Sequence, residues 1–221
     1  MKENDYPILN FDPESPSVVT PEDSFNPVEL PELAVLTDFP KTIRKLLKEN
    51  KIRRREELDI RTGSFLISKT YTLKHNNTET AICSFPLGGP MAAMVLEGLI
   101  AGGCKKIIAC GTAGVLDSDI PKGEIILPDK AFRDEGTSYH YLKPSSFARP
   151  DEEFFEALTE TCKKNDMDYI KGSTWTTDAI FRETQTKIKK YKKAGCLTVE
   201  MEAASLFAIA SFRKVRLAVM L

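Results

Sequence analysis

The segment 105–110 holds Ile107-Ile108-Ala109 at its centre, with no alternation of apolar and polar side chains, and runs directly into Gly111-Thr112-Ala113-Gly114. A strand that is apolar on both sides needs cover on both faces, which a water-soluble chain supplies with helices on either side of a sheet. This one stretch predicts an α/β fold with a largely parallel sheet.

The rest of the chain keeps to that plan. Strands are predicted at 34–36, 65–73, 80–85, 105–110, 124–127, 169–174, 197–199 and 215–221. Between them lie helical patterns at 40–47, 91–102, 151–165, 183–193 and 201–212. Pro40 suits the first turn of its helix, and Asn76-Asn77 suits a hairpin turn between two strands. His75 beside them reads as a loop residue. In 133–141 no helix or strand period is visible. Alternating strands and helices predict a three-layer αβα sandwich around a mixed, mostly parallel central sheet. Residues 1–32 differ in texture, with six of the 13 prolines, eight acids and one lysine, and read as an N-terminal arm. Such an arm is either disordered or laid extended on another surface. The domain proper is expected over 33–221.

Charge and cysteine use narrow the function. The 31 basic and 32 acidic residues nearly cancel, so no global field draws a nucleic acid or a membrane surface. The nine Lys/Arg of 41–61 have no interleaved aromatic residues and read as a solvated helix face. Glu97 interrupts the longest apolar stretch, which leaves none of the ~18 residues needed to cross a bilayer. Five cysteines without a C-x-x-C pair, after an N-terminus lacking a signal-peptide apolar run, predict reduced thiols in a cytoplasm.

Four places carry groups able to do chemistry. Glu200 and Glu202 flank Met201 at the start of the apolar helix around 203–210. They are either ordinary N-terminal acids or a grip for adjacent ribose hydroxyls, since a carboxylate accepts two hydrogen bonds. Gly111 to Gly114 after a buried strand is either a turn or a phosphate cradle, and Gly88-Gly89-Pro90 makes a second turn of this kind. Arg133 to Tyr141 concentrates polar and aromatic side chains that salt bridging explains equally well. Trp175 to Arg182 offers an aromatic platform, an acid and an arginine fork for a planar base, or a salt-bridged strand end. A lone His140 lacks the partners a metal needs.

In order along the chain, Leu87-Gly88-Gly89-Pro90 with Glu97-Gly98-Leu99, the run 107–114, and Val199-Glu200-Met201-Glu202-Ala203-Ala204 resemble the nucleoside phosphorylase superfamily. The stretches 133–141 and 177–184 look most like its uridine phosphorylase branch. The resemblance implies reversible cleavage of the N-glycosidic bond, with inorganic phosphate attacking C1′ of ribose as the base departs. On this resemblance Gly111 and Thr112 contact phosphate, with Lys41 or Arg44 as a substitute cation. Thr112, Glu200, Met201 and Glu202 serve the ribose, Glu200 from a second tier. Thr177, Asp178, Phe181 and Arg182 serve the base, and Arg182 with Glu202 forms the catalytic pair. No metal or organic cofactor is implied, and relatives pair subunits into homo-oligomers around the site.

Departures accompany the match. Ala109 stands where the family carries an arginine, and the turn 37–42, Thr-Asp-Phe-Pro-Lys-Thr, lacks the family's phosphate-turn arginine. No arm histidine is present for a neighbouring subunit. The strand 215–221 stops where the family continues into an acidic loop and a last helix. Losing two anion-binding arginines keeps two alternatives open: a nucleosidase that uses water in place of phosphate, and a nucleoside-binding protein of weak catalysis.

Overall fold

Apolar strands covered on both faces are what the chain forms. The structure is a computed structural model and describes residues 6–25 and 28–221. Its strands are β1 (Leu33–Thr37), β2 (Arg53–Arg54), β3 (Ile60–Thr62), β4 (Phe65–Ser68), β5 (Thr70–His75), β6 (Thr78–Ser84), β7 (Lys106–Cys110), β8 (Gly114–Val115), β9 (Ile126–Asp134), β10 (Phe147–Ala148), β11 (Ile170–Thr177), β12 (Cys196–Glu200) and β13 (Arg216–Met220). Its helices are α1 (Pro21–Ser24), α2 (Pro40–Lys48), α3 (Gly89–Ala101), α4 (Glu152–Lys164), α5 (Gln185–Lys193) and α6 (Ala203–Arg213).

Two sheets form the middle layer. One has the order β13-β7-β1-β6-β5-β2, parallel from β13 to β6, and the other the order β10-β9-β11-β12-β8, parallel from β9 to β12. They meet where Leu221 and Ile126 exchange backbone hydrogen bonds of 2.9 and 2.8 Å. Side chains then sort by the two-residue period of a strand. Leu36, Ile107, Ala109, Leu217 and Val219 pack with α3 and α6 on one face. Their neighbours face the other way: Val35 packs against Ile43 of α2, and Ile108 and Ala218 against Phe155 and Leu158 of α4. This is the αβα layering expected from the sequence, with the central sheet in two parts.

Local chemistry explains the element ends. Pro40 opens α2, Asp151 caps α4 by accepting from the Phe154 N–H at 2.8 Å, and Asn76 and Asn77 take φ of 47° and 64° in the hairpin turn. Glu97, buried in α3, is held by the Arg213 guanidinium of α6 at 2.9 to 3.1 Å, so an acid inside an apolar helix joins two core helices.

Four sequence expectations need correction. His75 is not a loop residue but the last residue of β5, paired with Thr78 of β6. The strand predicted over 65–73 is two strands. Asp59, gripped by Arg54 at 2.6 Å, takes the Thr70 N–H at 2.9 Å, and β4 leaves the large sheet to pair with β3. The segment 133–141 is not irregular throughout, because Arg133 and Asp134 finish β9 in register with Thr176 and Thr177 of β11. Neither forms the local salt bridge considered above. Arg133 donates to Ser138, Ser145 and the Leu142 and Lys143 carbonyls, while Asp134 accepts from Lys187 at 2.7 Å. Last, Trp175 is no platform for a base. It is 0% exposed, stacks on Tyr191 at 4.4 Å, and gives its indole N–H to Asp134.

Residues 6–25 and 28–32 lie against their own domain. Phe25 bridges Thr62 in an isolated pair and Leu30 sits over Gly102, both within the main core cluster. Residues 1–5 and 26–27 of the arm lie outside the described residues.

Candidate active site

Parallel strands bring their carboxyl ends to one edge, where open α/β folds leave room for ligands. Here the ends of β1, β6, β7 and β12 and the head of α6 enclose a cavity of about 360 Å³. Among its lining residues are Asp38, Gly111, Thr112, Glu200, Met201 and Glu202.

Glu202 is placed by two turns of chain. Its Oε1 accepts from the Gly88 N–H at 2.6 Å and its Oε2 from the Met201 N–H at 3.2 Å. Gly88 has φ of +99°, a conformation open to glycine alone, and the strand-to-helix turn needs it to aim this amide at Glu202. At the next position the close approach of α3 to α6 leaves no room for a side chain, since a Cβ on Gly89 would lie 2.5 Å from Ser205 Oγ. Burial raises the Glu202 carboxyl above its usual range, and the nearby Asp38 charge adds to this.

Glu200 is buried beneath Glu202. Its Oε1 accepts from the Thr176 hydroxyl at 2.5 Å and the Thr174 hydroxyl at 3.4 Å, and its Oε2 from the Glu202 and Ala203 N–H groups at 2.7 and 2.6 Å. It therefore caps the free amides at the N-terminus of α6 and fixes the backbone that carries Glu202. Burial pushes its carboxyl up to about 7 from an ordinary 4.5, against the pull of these donors. The folded state then binds the proton more tightly than the unfolded state, so stability falls as pH rises from about 4.5 to 7 and levels off above. The slope amounts to about 3 kcal/mol in all. Urea unfolding of wild type and Glu200→Gln at pH 5, 6, 7 and 8 checks this: the difference in stability between the two should change across pH 5–7 and stay constant beyond.

The glycine loop holds an acid. Gly111 gives its N–H to the Met220 carbonyl at 3.0 Å, while the Thr112 hydroxyl turns to Asp38 Oδ2 at 3.5 Å. Asp38 Oδ1 is buried without a hydrogen-bond partner, and burial raises this carboxyl above its usual range. Ile180 and Glu183 also enter the lining, with Leu87 and Phe85. Burial also raises the Glu183 carboxyl.

Several sequence candidates lie elsewhere. Lys41 and Arg44 face solvent on α2. Arg182 is exposed outside the cavity lining, and Phe181 is 96% exposed. Thr177 is buried, its hydroxyl accepting from the Ala179 N–H at 3.3 Å. Asp178 accepts from the Gly136 N–H at 2.7 Å and lines a larger cleft of about 720 Å³ with His140. Within that cleft Glu97 is paired with Arg213, while Asp12 and Asp178 also line it. Sequence reasoning missed Ile180 and Glu183 as cavity residues, and valued Asp38 only as part of a turn. The period of a short 3₁₀ turn at Ile180–Arg182 was too brief to show which side chain faces in. Among the described residues no cluster of His, Cys, Asp and Glu is set to hold a metal, and no helix is long and apolar enough to cross a membrane.

Comparison with known proteins agrees with this geometry. The sequence model of the phosphorylase superfamily matches residues 32–221. A guanosine phosphorylase of Halorubrum lacusprofundi is 31% identical over 67% of this chain and 61% of its own length. A uridine phosphorylase of Thermococcus kodakarensis is 28% identical over 67% and 58%. The chain thus spans about 60% of the length of these relatives. The uridine phosphorylase of Vibrio fischeri has the same fold, with a TM-score of 0.76 at 21% identity over 87% of this chain and 77% of that one. An AMP nucleosidase of Bacteroides thetaiotaomicron gives 0.71 at 23% identity, over 87% and 77%. With a sheet edge that gathers the glycine loop and the Glu-Met-Glu helix head into one cavity, and a family match running from residue 32 to 221, the chain belongs to the phosphorylase superfamily.

Proposed function

We propose that the chain cleaves the N-glycosidic bond of nucleosides, with phosphate as attacking group and uridine as the substrate its motifs favour. The observation that supports this is the meeting of Thr112, Met201 and Glu202, 90 residues apart in sequence, around one cavity. Glu202 keeps lone pairs free for ribose hydroxyls, because a carboxylate offers about four acceptor sites and two are taken. As the bond to the base lengthens, positive charge grows on the ribose, and carboxylates fixed in a low-dielectric cavity stabilise it without reorganising. We place the working form in the cytoplasm as a homo-oligomer built from dimers, without metal or organic cofactor.

A second reading, hydrolysis by water, is favoured by Asp38. A half-buried carboxylate beside Thr112 repels a phosphate dianion but accepts a proton from water. Free base released from uridine, guanosine and adenosine, measured with and without phosphate, separates the two. Phosphate-dependent release supports the first reading and phosphate-independent release the second. Asp38→Asn then checks the residue. Under phosphorolysis it lowers the phosphate KM about tenfold, as a repulsion of roughly 1–2 kcal/mol is removed. Under hydrolysis it lowers the rate a hundredfold or more.

A further inference from the structure

Behind the glycine turn lies a buried acid that the site described above does not use. Glu135, the residue after β9, is 6% exposed and stands outside the cavity lining. Its Oε2 accepts from the Ser205 hydroxyl of α6 at 2.8 Å and from the Ser138 N–H at 2.9 Å, and its Oε1 accepts from the Ser138 hydroxyl. The same Ser138 oxygen accepts from Arg133 Nε at 2.7 Å, so a buried carboxylate and a buried guanidinium share one hydroxyl. A buried polar network with its donors and acceptors matched is rigid, and it fixes whatever it grips. Here it grips Ser205. The Ser205 Oγ fills the space over Gly89, where an added Cβ would lie 2.5 Å from it and 3.2 Å from Thr137 Oγ1 of the same turn as Glu135. Gly89 follows Gly88, whose buried N–H is the donor to Glu202 Oε1. The turn 135–138 thus braces the Gly88 amide from behind.

We propose that Glu135 is a positioning residue for Glu202: by holding the Ser205 hydroxyl against Gly89 it fixes the Gly88 amide, and through that amide the Glu202 carboxylate. Its effect on rate rests on the nucleoside-cleaving reading above, whereas its effect on Gly88 rests on geometry alone. Of the two backbone donors to Glu202, the Met201 N–H belongs to the preceding residue and moves with it. The Gly88 N–H comes from a different part of the chain, the turn between β6 and α3, and is the one that sets where the carboxylate stands in the cavity wall. A carboxylate displaced by about 1 Å from the charge it serves costs up to a hundredfold in rate.

Two variants separate positioning from support of the fold. Ser205→Ala removes the link between Glu135 and α6, while Glu135 keeps both Ser138 donors and alanine suits a helix better than serine. It should melt within a few degrees of wild type, yet lower kcat for base release ten- to a hundredfold with the nucleoside KM within threefold. Glu135→Gln should do the reverse. The Ser138 N–H forces the amide oxygen to the side where Ser205 donates, so the link is kept, whereas the negative charge near Arg133 is lost. This variant should melt several degrees lower and keep kcat within threefold. Activity that follows melting temperature across the pair overturns the inference. The Gly88 amide supplies a readout that needs no turnover. The chain has 12 glycines, few enough for selective ¹⁵N-glycine labelling, and the Gly88 signal is the one that Glu202→Gln displaces. Its hydrogen exchange should be at least tenfold faster in Ser205→Ala and within threefold of wild type in Glu135→Gln. Unchanged Gly88 exchange in Ser205→Ala overturns the inference whatever the rates. Faster exchange in that variant, with no base released by wild type, supports the inference and overturns the nucleoside-cleaving reading.

Discussion

Glu202→Ala should lower kcat/KM for base release about a thousandfold, with the melting temperature within a few degrees of wild type. Charge-assisted hydrogen bonds are worth roughly 1.5–3 kcal/mol each, and a carboxylate at ribose distance makes two of them. A total near 4 kcal/mol is a factor of about 10³ in rate. The effect on stability is small because Glu202 is at the cavity wall, and the two amides it accepts, from Gly88 and Met201, can turn to water when the side chain is cut back. Initial-rate kinetics on the nucleoside that wild type cleaves, with a melt on the same preparation, checks both halves. A rate within threefold of wild type, under 1 kcal/mol in barrier, would mean the sugar sits elsewhere.

How legible this site was in sequence follows from which signals are local. Glu200, Met201 and Glu202 stand at the head of a helix apolar nearly all round, and such a helix must bury itself, so its N-terminus had to open near the core. The strand 105–110 and its glycine loop were readable for the same reason. Side-chain direction in irregular segments was not. Phe181 looks more like a base-stacking residue than Ile180, but the turn after β11 points Phe181 at solvent and Ile180 at the cavity. Nothing in Thr177 to Arg182 announces that, because three residues of 3₁₀ helix carry no usable period. Trp175 misled in the other direction. Its indole is large and its N–H polar, and only the register of β9 against β11 reveals that Asp134 lies within reach to satisfy it. The split of 65–73 into two strands depended on Asp59, which lies six residues before Phe65 and acts through a backbone amide. Layering was legible from composition, whereas pairings made by single polar side chains across the fold were not.

Glu200→Ala should be the most destabilising single change in the site, by about 3–4 kcal/mol, and should abolish activity as a consequence. The carboxylate is the common acceptor for the Thr174 and Thr176 hydroxyls and the N–H groups of Glu202 and Ala203, and three of these four bonds are buried around the head of α6, that from Glu202 partly so. A buried donor left without an acceptor costs about 1–3 kcal/mol. Thr174 loses least, since its hydroxyl also reaches the Thr198 carbonyl at 3.3 Å. Relief of the burial that raises the Glu200 carboxyl offsets part of the remainder, which brings the net to the figure given. For a chain of this length that is about 10 °C in melting temperature, readable by calorimetry at pH 7. The contrast with Glu202 gives the pair its force. Glu202→Ala removes a group that meets substrate and spares the fold. Glu200→Ala leaves that group in place but releases the backbone that aims it, so stability and kcat fall together. Glu200→Gln should be intermediate in stability, because its amide oxygen still accepts while its NH₂ is forced against donors. If Glu200→Ala melted with wild type, the helix head would have another acceptor. Glu202 would then owe its position to something other than the carboxylate beneath it.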